Sequence, residues 1–236
     1  MVRVMNLSHS SIWFLRRVFQ LLLCILFLMQ GIDVKAYTRP QNRDLLIGTA
    51  GVGLAVGVEL FAKDHFLPAE PRYGIPNQWD TNMRNRLHWG IAKQEKARHI
   101  SDGLIYGVSL SSLLWGPALA NDSKLSALIN MEVFAVNSLV TNLIKIRTGR
   151  ERPYHHFKTR DPQGPVDYAS FISGHSSVAF SQAVCNAMLL SESFPGQKAV
   201  IWSSLLSTAG LTAYFRVAGD MHYFSDIVVG AGLGAF

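Results

Sequence analysis

The run LSALINMEVFAVNSLVTNLI, Leu125 to Ile144, decides how the chain folds. It is too long for one strand and shows no alternation of apolar and polar residues with a period of two, so it reads as a helix. The same reading extends outward. Leu45 to Ala62 and Gly103 to Ala120 precede it, and Ser176 to Leu190, Ala199 to Val217 and Ile227 to Phe236 follow it. All are rich in Leu and Ala and lack strand alternation. The expected fold is all-α, a helical bundle of about six core helices.

With 236 residues, 49% of them hydrophobic and 16% charged, the chain suits one densely packed or membrane-associated domain and not a disordered segment. A pI near 9.5 and a net charge of +6 raise the question of nucleic acid. Much of the excess lies in Arg3, Arg16, Arg17 and Lys35, and no Lys/Arg tract with interleaved aromatics occurs, so no nucleic acid partner is expected. Residues 1–36 read as a signal peptide: Arg16 and Arg17, the apolar run Val18 to Ile32, then VKA at Val34 to Ala36. The alternative is an uncleaved N-terminal anchor. Either places residues 37–236 in the cell envelope as one helical domain. Of two cysteines, Cys24 falls in the leader and Cys185 in an apolar run, so the mature chain has no internal disulfide, and no zinc spacing is present.

Within that domain, Asp44 is the expected N-cap of the first helix, and Gly53 and Gly57 its expected close-packing face. Residues 63–101 form a polar insertion, with prolines at 68, 71 and 76 and an amphipathic helix around Arg84 to His99. Glu59, Asp102 and Glu132, in or beside apolar runs, are read first as core ion pairs and second as groups that position arginines.

Three connections between helices hold the chemistry. KIRTGRERPYHHFKTR, Lys145 to Arg160, is crowded with cations that repel unless an anion sits among them; a solvated basic flank is the plainer reading. SFISGHSS, Ser170 to Ser177, puts Ser173 and Gly174 at a helix start, where free N–H groups and the helix dipole favour an anion; simple serine capping accounts for it too. RVAGDMHYFSD, Arg216 to Asp226, sets His222 and Asp226 four apart, on one face if the helix begins there. A carboxylate accepting one ring N–H would leave the other nitrogen's lone pair free to attack; a helix-end salt bridge explains the pair equally well.

Together, Lys145-x6-Arg152-Pro153, Ser173-Gly174-His175 and Arg216-x5-His222-x3-Asp226 resemble the type 2 phosphatidic acid phosphatase family, which includes bacterial nonspecific acid phosphatases and vanadium haloperoxidases. The resemblance runs from about Leu125 to the end. Ile172 stands where the family has proline, and Phe215 where it has serine.

The resemblance implies a bundle with its active site at one end. His222 would be the nucleophile, forming a phosphohistidine; Asp226 would orient its ring; His175 would protonate the leaving oxygen and then activate water. Lys145, Arg152, Ser173, Gly174 and Arg216 would bind the phosphoryl group. No metal or other cofactor is implied for hydrolysis; vanadate would inhibit, or serve as cofactor if the chain were a haloperoxidase. A non-catalytic anion-binding envelope protein is a third reading. The implied substrate is a phosphorylated lipid or a small phosphoester, and the implied location the bacterial periplasm or cell envelope, with possible membrane association. Glu151, between Arg150 and Arg152, reads as local charge balance. The last helix, from Asp226 to Phe236, is too short as given to span a bilayer, so the expectation is an exported bundle lying against the membrane or a chain that continues beyond Phe236.

Overall fold

Apolar periodicity becomes helix throughout the described residues. A computed structural model describes residues 41–73 and 75–236; the leader with Cys24 lies outside the described residues. Helix α1 (Asn42–Gly57) continues through a π-helical turn (Val58–Ala62) into a short α2 (Lys63–Phe66). Then come α3 (Gln78–Leu87), α4 (Ile91–Leu119), α5 (Ser123–Thr148), α6 (Pro153–His156), α7 (Gly174–Ser193), α8 (Lys198–Ala218) and α9 (Phe224–Ala235). There is no strand among the described residues, and the long helices α1, α4, α5, α7, α8 and α9 are the six of the all-α expectation.

Two boundaries differ from expectation. Gln41, not Asp44, is the N-cap of α1; Asp44 lies in the first turn, where its carboxylate accepts the Gln41 N–H at 2.9 Å. The polar insertion does not end before the second core helix. Its last part, from Ile91, is the first three turns of α4, a helix of 29 residues. Composition hid this because those turns bury only a narrow stripe: Ala97 is fully buried, and the Ser101 hydroxyl donates to the Thr212 carbonyl of α8 at 3.0 Å. The break between α3 and α4 falls at Gly90, whose φ of 80° lies in the region open to glycine.

Helix α7 occupies the middle, packed against α4, α5, α8 and α9. Its buried residues are small, among them Ser176, Ser177, Ala179, Ala183 and Ala187, so neighbouring backbones come close. A Cβ on Gly234 of α9 would lie 2.1 Å from the Ser177 carbonyl oxygen, which only glycine avoids. Against α5 the contact is a polar seam: Asn186 donates to Asn130 Oδ1 at 2.9 Å, and the Ser177 hydroxyl donates to Asn137 Oδ1 at 2.6 Å. Buried amides held this way fix the register of two helices that alanine alone would let slide. Against α4 and α8 the contact is apolar, built from Ile105, Val178, Ala179, Ala183 and Ala209.

Helix α1 rests on α5, but not through Gly53 and Gly57, which face open space. Gly48 and Gly51 make the approach, where an added Cβ would meet Leu128 at 3.2 Å and Ala135 at 3.4 Å. An all-apolar helix carries no stripe to fix its rotation, so glycine spacing alone could not locate the contact face.

This packing brings the C-terminal ends of α5 and α8 and the N-terminal ends of α7 and α9 to one end of the bundle.

Candidate active site

Each expected side chain enters that end from a helix terminus. Lys145 comes from the last turn of α5, which stops at Gly149 in the left-handed conformation with φ 55°. Arg152 precedes α6, whose first residue is Pro153. Ser173 caps α7, accepting the Ser176 N–H on its hydroxyl oxygen at 3.3 Å, and this leaves the hydroxyl proton for another partner. Arg216 lies in the last turn of α8. The loop after it folds back, with Met221 N–H on the Arg216 carbonyl at 2.9 Å, so His222 returns beside the arginine.

The cations are buried: Lys145, Arg152 and Arg216 are each less than a tenth exposed. Arg152 donates to the Val166 carbonyl at 2.9 Å and to Met221 at 3.4 Å. Arg216 keeps a buried Nε–H without a partner. The Lys145 ammonium lies against Gly174, close enough that a Cβ there would come within 3.2 Å of Nζ. Arg152, Arg216 and Lys145 all act on His222, and Arg216 and Lys145 on His175. Lys145, Arg152, Arg216, Gly174, His175 and His222 therefore lie close together at this end of the bundle.

The two imidazoles are held differently. His222 Nδ1 is 2.7 Å from the Ser170 carbonyl oxygen, which can only accept, so Nδ1 carries the hydrogen and Nε2 the lone pair. Burial, then Arg152, Arg216 and Lys145, hold this ring well below the usual histidine value, so it is neutral. His175 Nε2 is 3.0 Å from Asp102 Oδ1. Burial and then Arg216 push His175 down to about 3, against the opposing pull of Asp102. Burial works to raise the Asp102 carboxyl, but His175, Arg216 and Arg98 bring it down to about 2.

The expected role of Asp226 is changed by this geometry. Its Oδ2 is 3.7 Å from His222 Nδ1, beyond a hydrogen bond. It accepts instead from the Ser170 hydroxyl at 2.6 Å and the Tyr223 N–H at 2.9 Å, and pairs with Arg150. Asp226 thus braces the segment whose carbonyl holds His222. Glu151 does not balance its neighbouring arginines either; it binds His155 Nδ1 at 2.7 Å and His156 Nδ1 at 3.0 Å, while Arg150 reaches Asp226 and Asp80.

Several supports lie outside the expected set. Asp80 of α3 accepts from the Ser225 N–H at 2.8 Å and pairs with Arg150 at 2.7 Å. One turn on, Arg84 grips Asp220 with two bonds of 2.6 Å, and Thr159 adds a third at 2.7 Å. The polar insertion therefore clamps the loop that presents His222. Its legible signal was an Asp and an Arg four apart on one helical face. Glu59 forms an ion pair with Lys63, and it also acts on Lys145. Ile172 is buried, and Phe215 packs edge-on against Trp89 with ring centroids 5.4 Å apart.

Residues 126–236 match the family model of the PAP2 superfamily. Over this segment the chain is similar to that superfamily. All eight expected site residues lie within it, whereas Asp80, Arg84 and Asp102 precede it. Among solved structures, the crystal structure of the first transmembrane PAP2 type phosphatidylglycerolphosphate phosphatase from Bacillus subtilis is similar over 92% of this chain and 90% of that one. The identity is 19% and the TM-score 0.40.

Proposed function

We propose that this chain is a PAP2 superfamily phosphatase that hydrolyses phosphate esters or diphosphates through a phosphohistidine on His222. The observation that carries the reading is a buried neutral imidazole, its Nε2 lone pair unspent, surrounded by Lys145, Arg152 and Arg216. Three buried cations facing two uncharged rings call for a multiply charged anion, and a phosphoryl group supplies it.

In the first half-reaction the phosphoester, bound as its monoanion, cedes its proton to Nδ1 of His175; Nε2 of His222 then forms a bond to phosphorus as the bond to the leaving oxygen breaks, and His175 passes that proton to the leaving oxygen. In the second, His175 takes a proton from water as its oxygen bonds phosphorus and the P–N bond breaks. Inorganic phosphate leaves, and both rings return to their starting state. Lys145, Arg152, Arg216, the Gly174 N–H and the Ser173 hydroxyl proton offset the charge on the phosphoryl oxygens. These groups supply the positive charge for which a metal is often used, so turnover is expected to persist in EDTA.

The substrate class is a phosphorylated lipid or a small phosphoester, and the lipid is favoured by exposed apolar faces. Leu46, Ile47, Leu54, Leu60, Phe61 and Phe66 face outward on α1 and its continuation. Asn42–Phe66 and Ser123–Thr148 are the described helices long and apolar enough to cross a membrane by length and composition. This supports membrane association; export to the periplasm remains part of the proposal and rests on the leader.

The test is release of phosphate from an aryl phosphate by the full chain with EDTA present, alongside lipid monophosphates and diphosphates, with His222→Ala as control. Turnover that survives this substitution sinks the proposal. Inhibition by orthovanadate is expected, whereas halide oxidation dependent on vanadate would transfer the reading to the haloperoxidases.

A further inference from the structure

Asp102 is more than a core ion pair. It stands on α4, outside the matched segment, with a carboxylate shared three ways. Oδ1 accepts from Arg216 Nη1 at 2.8 Å and lies 3.0 Å from His175 Nε2, while Oδ2 accepts from Arg98 Nη1 at 3.0 Å. A carboxylate oxygen that near a ring nitrogen requires the nitrogen to carry the hydrogen, so His175 is the Nε2–H tautomer and its lone pair is on Nδ1.

The other charged and titratable groups that face this ring work against its taking up a proton. They are Arg216 from α8 and Lys145 from α5, with the His222 imidazole beside them from the loop before α9. From α4, Asp102 provides the opposing negative charge, with Arg98 behind it. A general acid in so cationic a pocket needs such a partner, because without it the imidazolium would be too costly to form.

We propose that Asp102 is a positioning residue of the proton-transfer step, fixing His175 as the Nε2–H tautomer beside Arg216 and sustaining its capacity to hold the second proton. That second proton sits on Nδ1, passes to the leaving oxygen as the P–O bond breaks, and is replaced from water in the second half-reaction. The proton-transfer role rests on the phosphatase reading; the tautomer does not.

The experiment compares the full chain with Asp102→Asn and Asp102→Glu. Nitrogen-15 spectra of the His175 ring, assigned by its loss in His175→Gln, are followed with pH in the presence of inorganic phosphate. Turnover is measured in parallel on a nitrophenyl ester, whose leaving group needs little protonation, and on an alkyl phosphate, whose leaving group needs it fully. In Asp102→Asn the ring is expected to lose its single tautomer and to protonate only at lower pH. Turnover of the alkyl ester should fall about 100-fold with little change in KM, and the nitrophenyl ester far less. The basic limb of the alkyl-ester pH profile should shift to lower pH, and Asp102→Glu should recover part of the loss. An unchanged ring titration in Asp102→Asn overturns the proposal, as does an equal loss on both esters. Wild-type chain that turns over neither these esters nor a lipid phosphate refutes the phosphatase reading, and the ring titration still decides whether Asp102 governs His175.

Discussion

The loop before α9 and the first turn of α7 each present a histidine to the same cations, the first buried and the second partly exposed, yet they give it opposite partners. His222 donates Nδ1–H to a neutral backbone carbonyl, whereas His175 donates Nε2–H to the Asp102 carboxylate. A carbonyl fixes a tautomer without much altering the ring's affinity for a proton; a carboxylate does both. The first arrangement suits a nucleophile, which must keep a lone pair in acid. The second suits a group that must gain and lose a proton at every turnover. The chain thus separates two jobs for one residue type by the charge of the acceptor.

The largest effect should come from breaking the nucleophile. His222→Ala is expected to lower kcat by about 10⁴-fold or more and to abolish acid-labile phosphate label on the protein, since no other described group is placed to form that bond. Next is the acid. His175→Gln should cost about 10² to 10⁴-fold on an alkyl phosphate and much less on a nitrophenyl ester, a split that His222→Ala must not show. If both substitutions lose activity evenly across leaving groups, the assignment of two different jobs is wrong.

Asp226→Asn sharpens the same contrast from the side of the support. Where a carboxylate directly fixes a catalytic tautomer, its amide costs about 10⁴ in kcat. Asp226 lies 3.7 Å from Nδ1, and the Ser170 carbonyl does the fixing. The expected loss is therefore smaller, about 10 to 100-fold, by analogy with outer-shell partners elsewhere. It should come with a lower Tm, because Arg150 loses one of its two buried carboxylates. A loss as large as that of His222→Ala would mean that Asp226 moves onto the ring when substrate binds.

What the sequence made legible follows from which signals have a residue type attached. The ends of apolar runs could be seen, so the positions of Lys145, Ser173, Gly174, Arg216 and His222 at helix termini followed. Ser170 could not be found, because its contribution to His222 is a backbone carbonyl that any residue has. Asp102 was visible as an acid beside an apolar run, but its partners lie on α7 and α8, far along the chain. The polar first turns of α4 also have the composition of the insertion, which hides the continuity of the helix that carries it. The clamp of Asp80 and Arg84 is hidden for the same reason: a polar stretch has the same composition whether its side chains face solvent or, as here, are buried.

The smallest expected effect concerns stability and tests whether both rings are neutral in the folded chain. An unfolded histidine protonates near pH 6.5. Folded His175 does so at about 3, and folded His222 well below its usual value. As pH falls below 6.5 the unfolded chain therefore binds protons that the folded chain refuses, and stability is lost; the loss per ring is at most about 1.4 kcal/mol per pH unit. Asp102, held at about 2, also costs stability in acid, but only below the ordinary aspartate value of 3.8. Glu59, whose carboxyl is held below its ordinary value of 4.5, adds its own loss lower down, so the window between pH 6 and 5 belongs to these two histidines, and Tm followed across it should fall steadily. His222→Gln and His175→Gln should each make that fall shallower by a similar amount, although their effects on catalysis differ. A slope that responds to only one of them would show that the other ring is already charged in the folded chain, and the contrast drawn between a neutral nucleophile and a protonatable acid would have to be rebuilt around whichever ring holds the proton.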